Sequence, residues 1–176
     1  MSTKKYLIKD VYTDGSTFNN SKQSKISRGG YGIYWGPGDS GNRGCPFLYS
    51  PITNNRCELF AILMSIQTFL EEKTSNKYIL NIFSDSQYSI NTITKWMFQW
   101  RKNNWKKKDG KIPENLDLIK MIDNLISGNH VKIYFHHVSA AHDYSEPKNK
   151  HSVEWKHWNG NNQADKLARK GALKNI

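Results

Sequence analysis

The hydrophobic pattern of the chain lengthens from a period of two to a helical period near Thr53. From Tyr6 to Thr13 β-branched and aromatic residues dominate, and the run stops at Asp14-Gly15-Ser16, which predicts a strand entering a turn. The polar stretch from Asn19 to Arg28 predicts an exposed basic loop. Gly29-Gly30 then opens a second strand through Tyr31, Ile33 and Trp35, ending at Gly36-Pro37-Gly38, and a third is expected over Pro46 to Ser50. Strands so closely spaced predict an antiparallel meander. Beyond it, Leu59, Ile62, Leu63, Ile66, Phe69 and Leu70 follow helical spacing, with Thr53 or Asn54 able to cap the start. After the charged break at Glu71-Glu72-Lys73, the nearly all-apolar run from Tyr78 to Phe83 fits a strand buried on both faces of a parallel sheet. Helical material follows from Gln87 to about Arg101, and a further helix spans Leu116 to Ile126. A last strand covers Val131 to Val138, a long polar loop about 139–158, and a final helix runs from about Asn161 to Leu173. Ala164, Leu167, Ala168 and Ala172 form its packing stripe. The expected plan is a single α/β domain over residues 1–176, with one mixed sheet and helices packed on it.

Charge narrows what such a domain does. The formal net charge is +11, so a polyanion is the expected partner, and nucleic acid is the leading polyanion. A membrane surface fits less well, because no basic amphipathic helix offers a continuous lipid-seeking face. Cys45 and Cys57 lack the spacing of a zinc site or a disulfide framework, which suits a reducing compartment. With no apolar stretch suited to a signal peptide or a bilayer crossing, an intracellular protein is expected. Nothing in the pattern calls for more than a monomer or for an obligate protein partner.

Four carboxylates bring chemistry into this plan: Asp14, Glu58, Asp85 and Asp165. Glu58 shares a helical stripe with Ile62 and Ile66, the side that should face the sheet. A carboxylate there is costly unless it is paired or binds a metal, although an acid near a helix start also complements the macrodipole. Asp85 ends the buried central strand, where ligands of open α/β sheets gather, and Asp14 is expected to end the first strand. A turn-forming Asp explains either one alone. Asp165 falls in the first turns of the predicted last helix, where an ordinary dipole-complementing acid would also stand. Together, though, the four sit where strand and helix ends converge on one crevice. Clustered carboxylates repel each other and call for divalent cations, and Mg²⁺ suits an all-oxygen site. Two such ions can activate a water and stabilise the leaving oxygen of a phosphoryl displacement, which makes a basic protein of this kind a nuclease candidate.

The motifs around the acids resemble a known family. YTDGS at 12–16, TNNRCEL at 53–59, SDSQY at 84–88 and GNNQADKLA at 160–168 resemble the signatures of type 1 ribonuclease H, in order and over nearly the whole chain. GGYG at 29–32 resembles its second strand, and residues 93–118 resemble the helix and basic protrusion (about 101–112) of the bacterial form. The resemblance implies a ribonuclease H-like fold, a five-stranded mixed sheet of order 3-2-1-4-5 with helices on both faces. It implies an endonuclease that cuts the RNA strand of RNA–DNA hybrids with two Mg²⁺ ions, Mn²⁺ being a substitute, and leaves 5′-phosphate and 3′-hydroxyl ends. Asp14, Glu58, Asp85 and Asp165 match the metal-binding acids. Asn54, Asn55 and Gln87 match minor-groove contacts, a sensible use of amides because the 2′-hydroxyl both donates and accepts. Thr53 and Asn115 match a pocket for a DNA-strand phosphate, while Pro51 stands where the family often has an arginine. Trp100, Arg101, Lys102, Trp105, Lys106, Lys107 and Lys108 interleave aromatics with cations and match the protrusion that grips the hybrid backbone. Core packing is an equal expectation for Trp100 and Trp105.

The family also uses a histidine before the last helix for proton transfer during product release. HHVSAAH nominates His142, yet His151 and His157 lie nearer the final helix across a longer loop. Asn162 replaces a peripheral glutamate of the family motif. The TNNRCEL helix and the protrusion argue against an integrase or exonuclease of the same superfamily. The presence of all four acids argues against a non-catalytic hybrid-binding module.

Overall fold

A strand without a polar face needs a neighbour on each side and a helix layer to cover it, and the middle of this chain is built that way. The computed structural model describes residues 6–19, 27–72, 78–129 and 131–174. Its strands are β1 (Leu7–Asn19), β2 (Ser27–Tyr34), β3 (Arg43–Phe47), β4 (Tyr78–Ser84) and β5 (Lys132–His137). The helices are α1 (Asn54–Glu72), α2 (Gln87–Asn91), α3 (Met97–Lys102), α4 (Leu116–Ser127) and α5 (Val153–Leu173). A π-helical turn, Thr92–Trp96, joins α2 to α3, and a 3₁₀ turn spans Ala141–Asp143.

The sheet order is β3-β2-β1-β4-β5. β1 pairs antiparallel with β2 and parallel with β4; β2 pairs antiparallel with β3, and β4 parallel with β5. This is the mixed five-stranded sheet expected. α1 covers one face and α5 the other. The alternation of β2 sorts its side chains between them. Tyr31 and Ile33 are buried toward α1, where the Tyr31 and Phe60 rings meet edge to face at 5.0 Å. Gly30 and Gly32 face α5, and a Cβ on Gly32 would lie 2.1 Å from the Ala164 carbonyl oxygen. Small residues on both surfaces therefore let α5 approach the sheet backbone closely. Val11, Leu59, Ile62, Ile66, Leu80, Ile82, Ile119 and Ile122 form the dry interior between the sheet, α1 and α4. No helix of the described residues is long and apolar enough to cross a membrane.

Several boundaries differ from the sequence expectation. β1 does not end at Thr13. Its parallel ladder with β4 stops at Thr13 and Ser84, but its antiparallel ladder with β2 continues to Asn19. Asp14 is thus inside a strand, not in a turn, because pairing with Gly32 supplies what local sequence does not. The third strand lies earlier, at Arg43–Phe47 rather than 46–50. The last helix begins at Val153 instead of about Asn161, so the preceding loop stops at 152 and Asp165 lies mid-helix. Ser152 caps that start by accepting from the Trp155 amide at 3.0 Å. Of the basic loop expected from Asn19 to Arg28, residues 20–26 lie outside the described residues.

Candidate active site

The register of β1 and β4 places two acids side by side. Thr13 and Ser84 are the last partners of the parallel ladder, so Asp14 and Asp85 follow side by side where that ladder ends, Asp85 just past β4 and Asp14 in the part of β1 that pairs only with β2. α1 adds Glu58 from its second turn. It crosses β1 closely enough that a Cβ on Gly15 would lie 2.5 Å from the Glu58 amide nitrogen. The ligand atoms of Asp14, Glu58 and Asp85 all fall within 4.8 Å of one another. Asp165 reaches the same crevice, of about 460 Å³, from α5; Asn54 and His142 also line it.

Burial makes this group expensive. Asp14 is 4% exposed and Glu58 3%. The Gly15 amide donates to Asp14 Oδ1 at 2.9 Å, and Asn161 Nδ2 donates to Asp85 Oδ2 at 3.1 Å. Glu58 Oε2 is buried without a hydrogen-bond partner. Burial, reinforced by the Asp85 charge, pushes the Asp14 carboxyl up to about 8. Burial and the facing Asp14 hold Glu58 well above the usual carboxylate range, and burial also raises Asp85 against the lowering effect of Asn161. An orphaned carboxylate oxygen among hard oxygen donors, with neighbours that resist joint ionisation, fits a divalent cation. Asp165 is tied differently: Arg169 Nε, one helical turn on, sits 3.1 Å from its carboxylate.

The three candidate histidines separate in space. His142 stands on the 3₁₀ turn, largely exposed, lining the crevice, with Nε2 3.3 Å from Asp143 Oδ1. His157 sits on α5 with Nδ1 2.8 Å from the Tyr12 hydroxyl and its ring 4.8 Å from that of Phe83. It lines a separate cavity with His137 and Tyr144, and burial lowers its pKa. His151 is exposed in the loop.

The remaining predicted residues stand at the starts of α1, α2 and α4 and along α3 and the segment that follows it. Asn54 and Asn55 are exposed in the first turn of α1, which Thr53 caps by accepting from the Arg56 amide at 3.2 Å. Gln87 opens α2 in the open, donating to Asn91 Oδ1 at 2.9 Å. Asn115, with φ of 62°, donates to the Tyr88 hydroxyl at 2.9 Å. Buried Arg56 clamps the start of α4 by two bonds to Asp117, at 2.8 and 2.7 Å, bolting the segment that holds Thr53 to the one that holds Asn115. Trp100 and Trp105 pack partly against the core. Arg101 is engaged by Asp123 at 2.6 Å. No carboxylate among the described residues pairs with Lys102, Lys106, Lys107 or Lys108.

Three residues of the site are not among those expected, and only one of them has a spacing that signals its contact. Asn161 is visible within GNNQAD but has no spacing that betrays a bond to Asp85. Arg169 stands four residues after Asp165, a spacing that does announce an ion pair on a helix. Arg56 lies inside TNNRCEL, where its burial depends on a partner 61 residues away.

The family model described as RNase H matches residues 8–173. Ribonuclease H of Schizosaccharomyces pombe is 36% identical over 162 residues, covering 92% of this chain and 52% of its own length. Ribonuclease HI of Haemophilus influenzae is 31% identical over 172 residues, covering 93% of this chain and 88% of its own. The solution structure of the PFV RNase H domain superposes with a TM-score of 0.67 at 20% identity, covering 93% of each chain. The chain spans about half the length of the Schizosaccharomyces pombe and mammalian relatives it matches.

Proposed function

We propose, on the premise that the chain belongs to the RNase H family, that it is an endonuclease hydrolysing the RNA strand of RNA–DNA hybrids with Mg²⁺, leaving 5′-phosphate and 3′-hydroxyl ends. The observation that carries this reading is the buried triad of Asp14, Glu58 and Asp85, whose ligand atoms lie within 4.8 Å and include an unpartnered Glu58 oxygen. Two divalent cations, Mg²⁺ or in its place Mn²⁺, supply when bound the activation of water and the charge neutralisation that phosphodiester hydrolysis needs. Asp14, Glu58 and Asp85 hold them on the sheet and α1; Asp165 contributes once its carboxylate leaves Arg169.

The other residues bind and orient. Asn54, Asn55 and Gln87 offer exposed amides beside the acids, able to answer a 2′-hydroxyl as donor and acceptor without reading sequence. Thr53 and Asn115, held together by the Arg56–Asp117 clamp, take a phosphate of the DNA strand. Lys102, Lys106 and Lys107, free of acidic partners among the described residues, lie along the hybrid backbone with Trp100 and Trp105 at their base. Arg101, held by Asp123, stiffens that base more than it offers free charge. His142 carries a proton at its imidazole as product leaves, the role its place on the crevice supports.

The test is cleavage of an end-labelled RNA–DNA hybrid with Mg²⁺, beside double-stranded RNA and DNA, with the product ends identified. Hybrid-specific cutting that Asp85→Asn abolishes is expected; undiminished cutting by that variant would sink the mechanism.

A further inference from the structure

The turn that carries His142 is fastened at a single residue from two directions. Ala141 is 6% exposed; its amide donates to Asn161 Oδ1 at 2.8 Å, and its carbonyl accepts from the Trp158 indole Nε1 at 3.2 Å. Asn161, 2% exposed, also donates to Asp85 Oδ2. Trp158 and Asn161 are three residues apart on α5 and so share a helical face. One face of this helix thus reaches from a carboxylate of the triad to the residue before His142. The turn has only three residues and the His142 side chain is mostly exposed, so little packing of its own holds it. Trp158 belongs to the first turns of α5, which the apolar pattern does not predict. Trp155, one turn earlier, fastens a later part of the same loop by donating to Glu146 Oε1 at 2.8 Å.

We propose that Trp158 is a positioning residue for His142. Its indole N–H, acting through the Ala141 carbonyl while Asn161 holds the amide, keeps the 3₁₀ turn at the rim of the crevice. A proton carrier works only where its geometry is fixed, and a buried carbonyl deprived of its donor is driven to move toward water. The proposal rests on the reading of His142 as a proton carrier in hybrid cleavage.

Trp158→Phe keeps an aromatic ring and removes the N–H. Two measurements on this variant separate positioning from mere stability. Hydrogen exchange at the Ala141 amide is expected to rise about three- to tenfold. kcat on a hybrid is expected to fall about three- to tenfold with KM unchanged, and with no further fall when Trp158→Phe is added to His142→Ala. Trp155→Phe, which releases only the Glu146 tie, should leave kcat as it was. The proposal is overturned by unchanged exchange at Ala141, by equal losses on the wild-type and His142→Ala backgrounds, or by a matching loss in Trp155→Phe. If the wild-type protein does not cut hybrids, the proposed function fails by itself, and the exchange measurement alone judges whether Trp158 holds the turn.

Discussion

Asp14→Asn should stabilise the metal-free protein at alkaline pH while destroying its activity. In the native state Asp14 is buried opposite Asp85 and Glu58, and its pKa rises from 3.8 to about 8. Because the folded value lies above the unfolded one, its contribution to stability is complete below pH 4 and is lost as pH climbs through about 8. A rise from 3.8 to about 8 corresponds to a loss of ~5 kcal/mol if Asp14 alone bore it. The crevice opens to water on one side and the cost is shared with Glu58, so about 2–3 kcal/mol is the expected share. Asparagine keeps the shape and removes the charge. In EDTA at pH 8, the variant should therefore unfold about 5–10 °C above the wild type, a gap that closes near pH 4. Saturating Mg²⁺ should narrow the gap from the other side, since the wild type, with one more carboxylate in the site, gains more by binding it. Urea or thermal unfolding by circular dichroism across this pH range reads the effect. A variant no more stable than wild type at pH 8, or equally favoured at pH 4 and 8, would show that the triad is not held in this unfavourable charge state.

Two further outcomes test other parts of the structure. Gly32→Ala places a Cβ 2.1 Å from the Ala164 carbonyl oxygen, so α5 must shift; a loss of about 1–3 kcal/mol in urea unfolding is expected, with a fall in activity because α5 carries Asp165, and an unperturbed midpoint would contradict the close packing. Replacing Lys106 and Lys107 together by Ala should raise KM for the hybrid and flatten its dependence on log salt by about 1–2 units while kcat stays the same; a salt dependence identical to wild type would place the hybrid elsewhere.

Glu58 is legible in the sequence because a charged residue interrupts an apolar stripe, and burial of a charge needs a reason that local rules do not supply. Asp85 is legible because the strand leading to it has no polar face. Asp14 is legible as a candidate but not in its true setting. Asp14-Gly15-Ser16 carries turn chemistry, yet pairing with the glycine-rich β2 holds it extended, a preference decided by a partner strand and not by the residues themselves. The start of α5 is hidden for a related reason. Gly160 suggests an interruption, but the helix runs through it, and the missing side chain lets the backbone lie against Tyr12, where a Cβ would stand 2.5 Å from the ring. Trp155 and Trp158 look unlike an aliphatic stripe because they serve as hydrogen-bond donors to a loop.

The sequence by itself therefore determined the strand and helix periods, the basic character and the four acids with their motifs, since each is written in local spacing and residue type. Only the tertiary structure decided how those acids meet, that Asn161 is bonded to Asp85, and which histidine shares their crevice. Three histidines of the same intrinsic chemistry differ only in where the fold delivers them. His157 is turned into the Tyr12 and Phe83 packing, His151 stays exposed in the loop, and His142 is carried to the crevice by a turn that residues of α5 hold from a distance. Contacts between residues far apart in the chain leave no period to read.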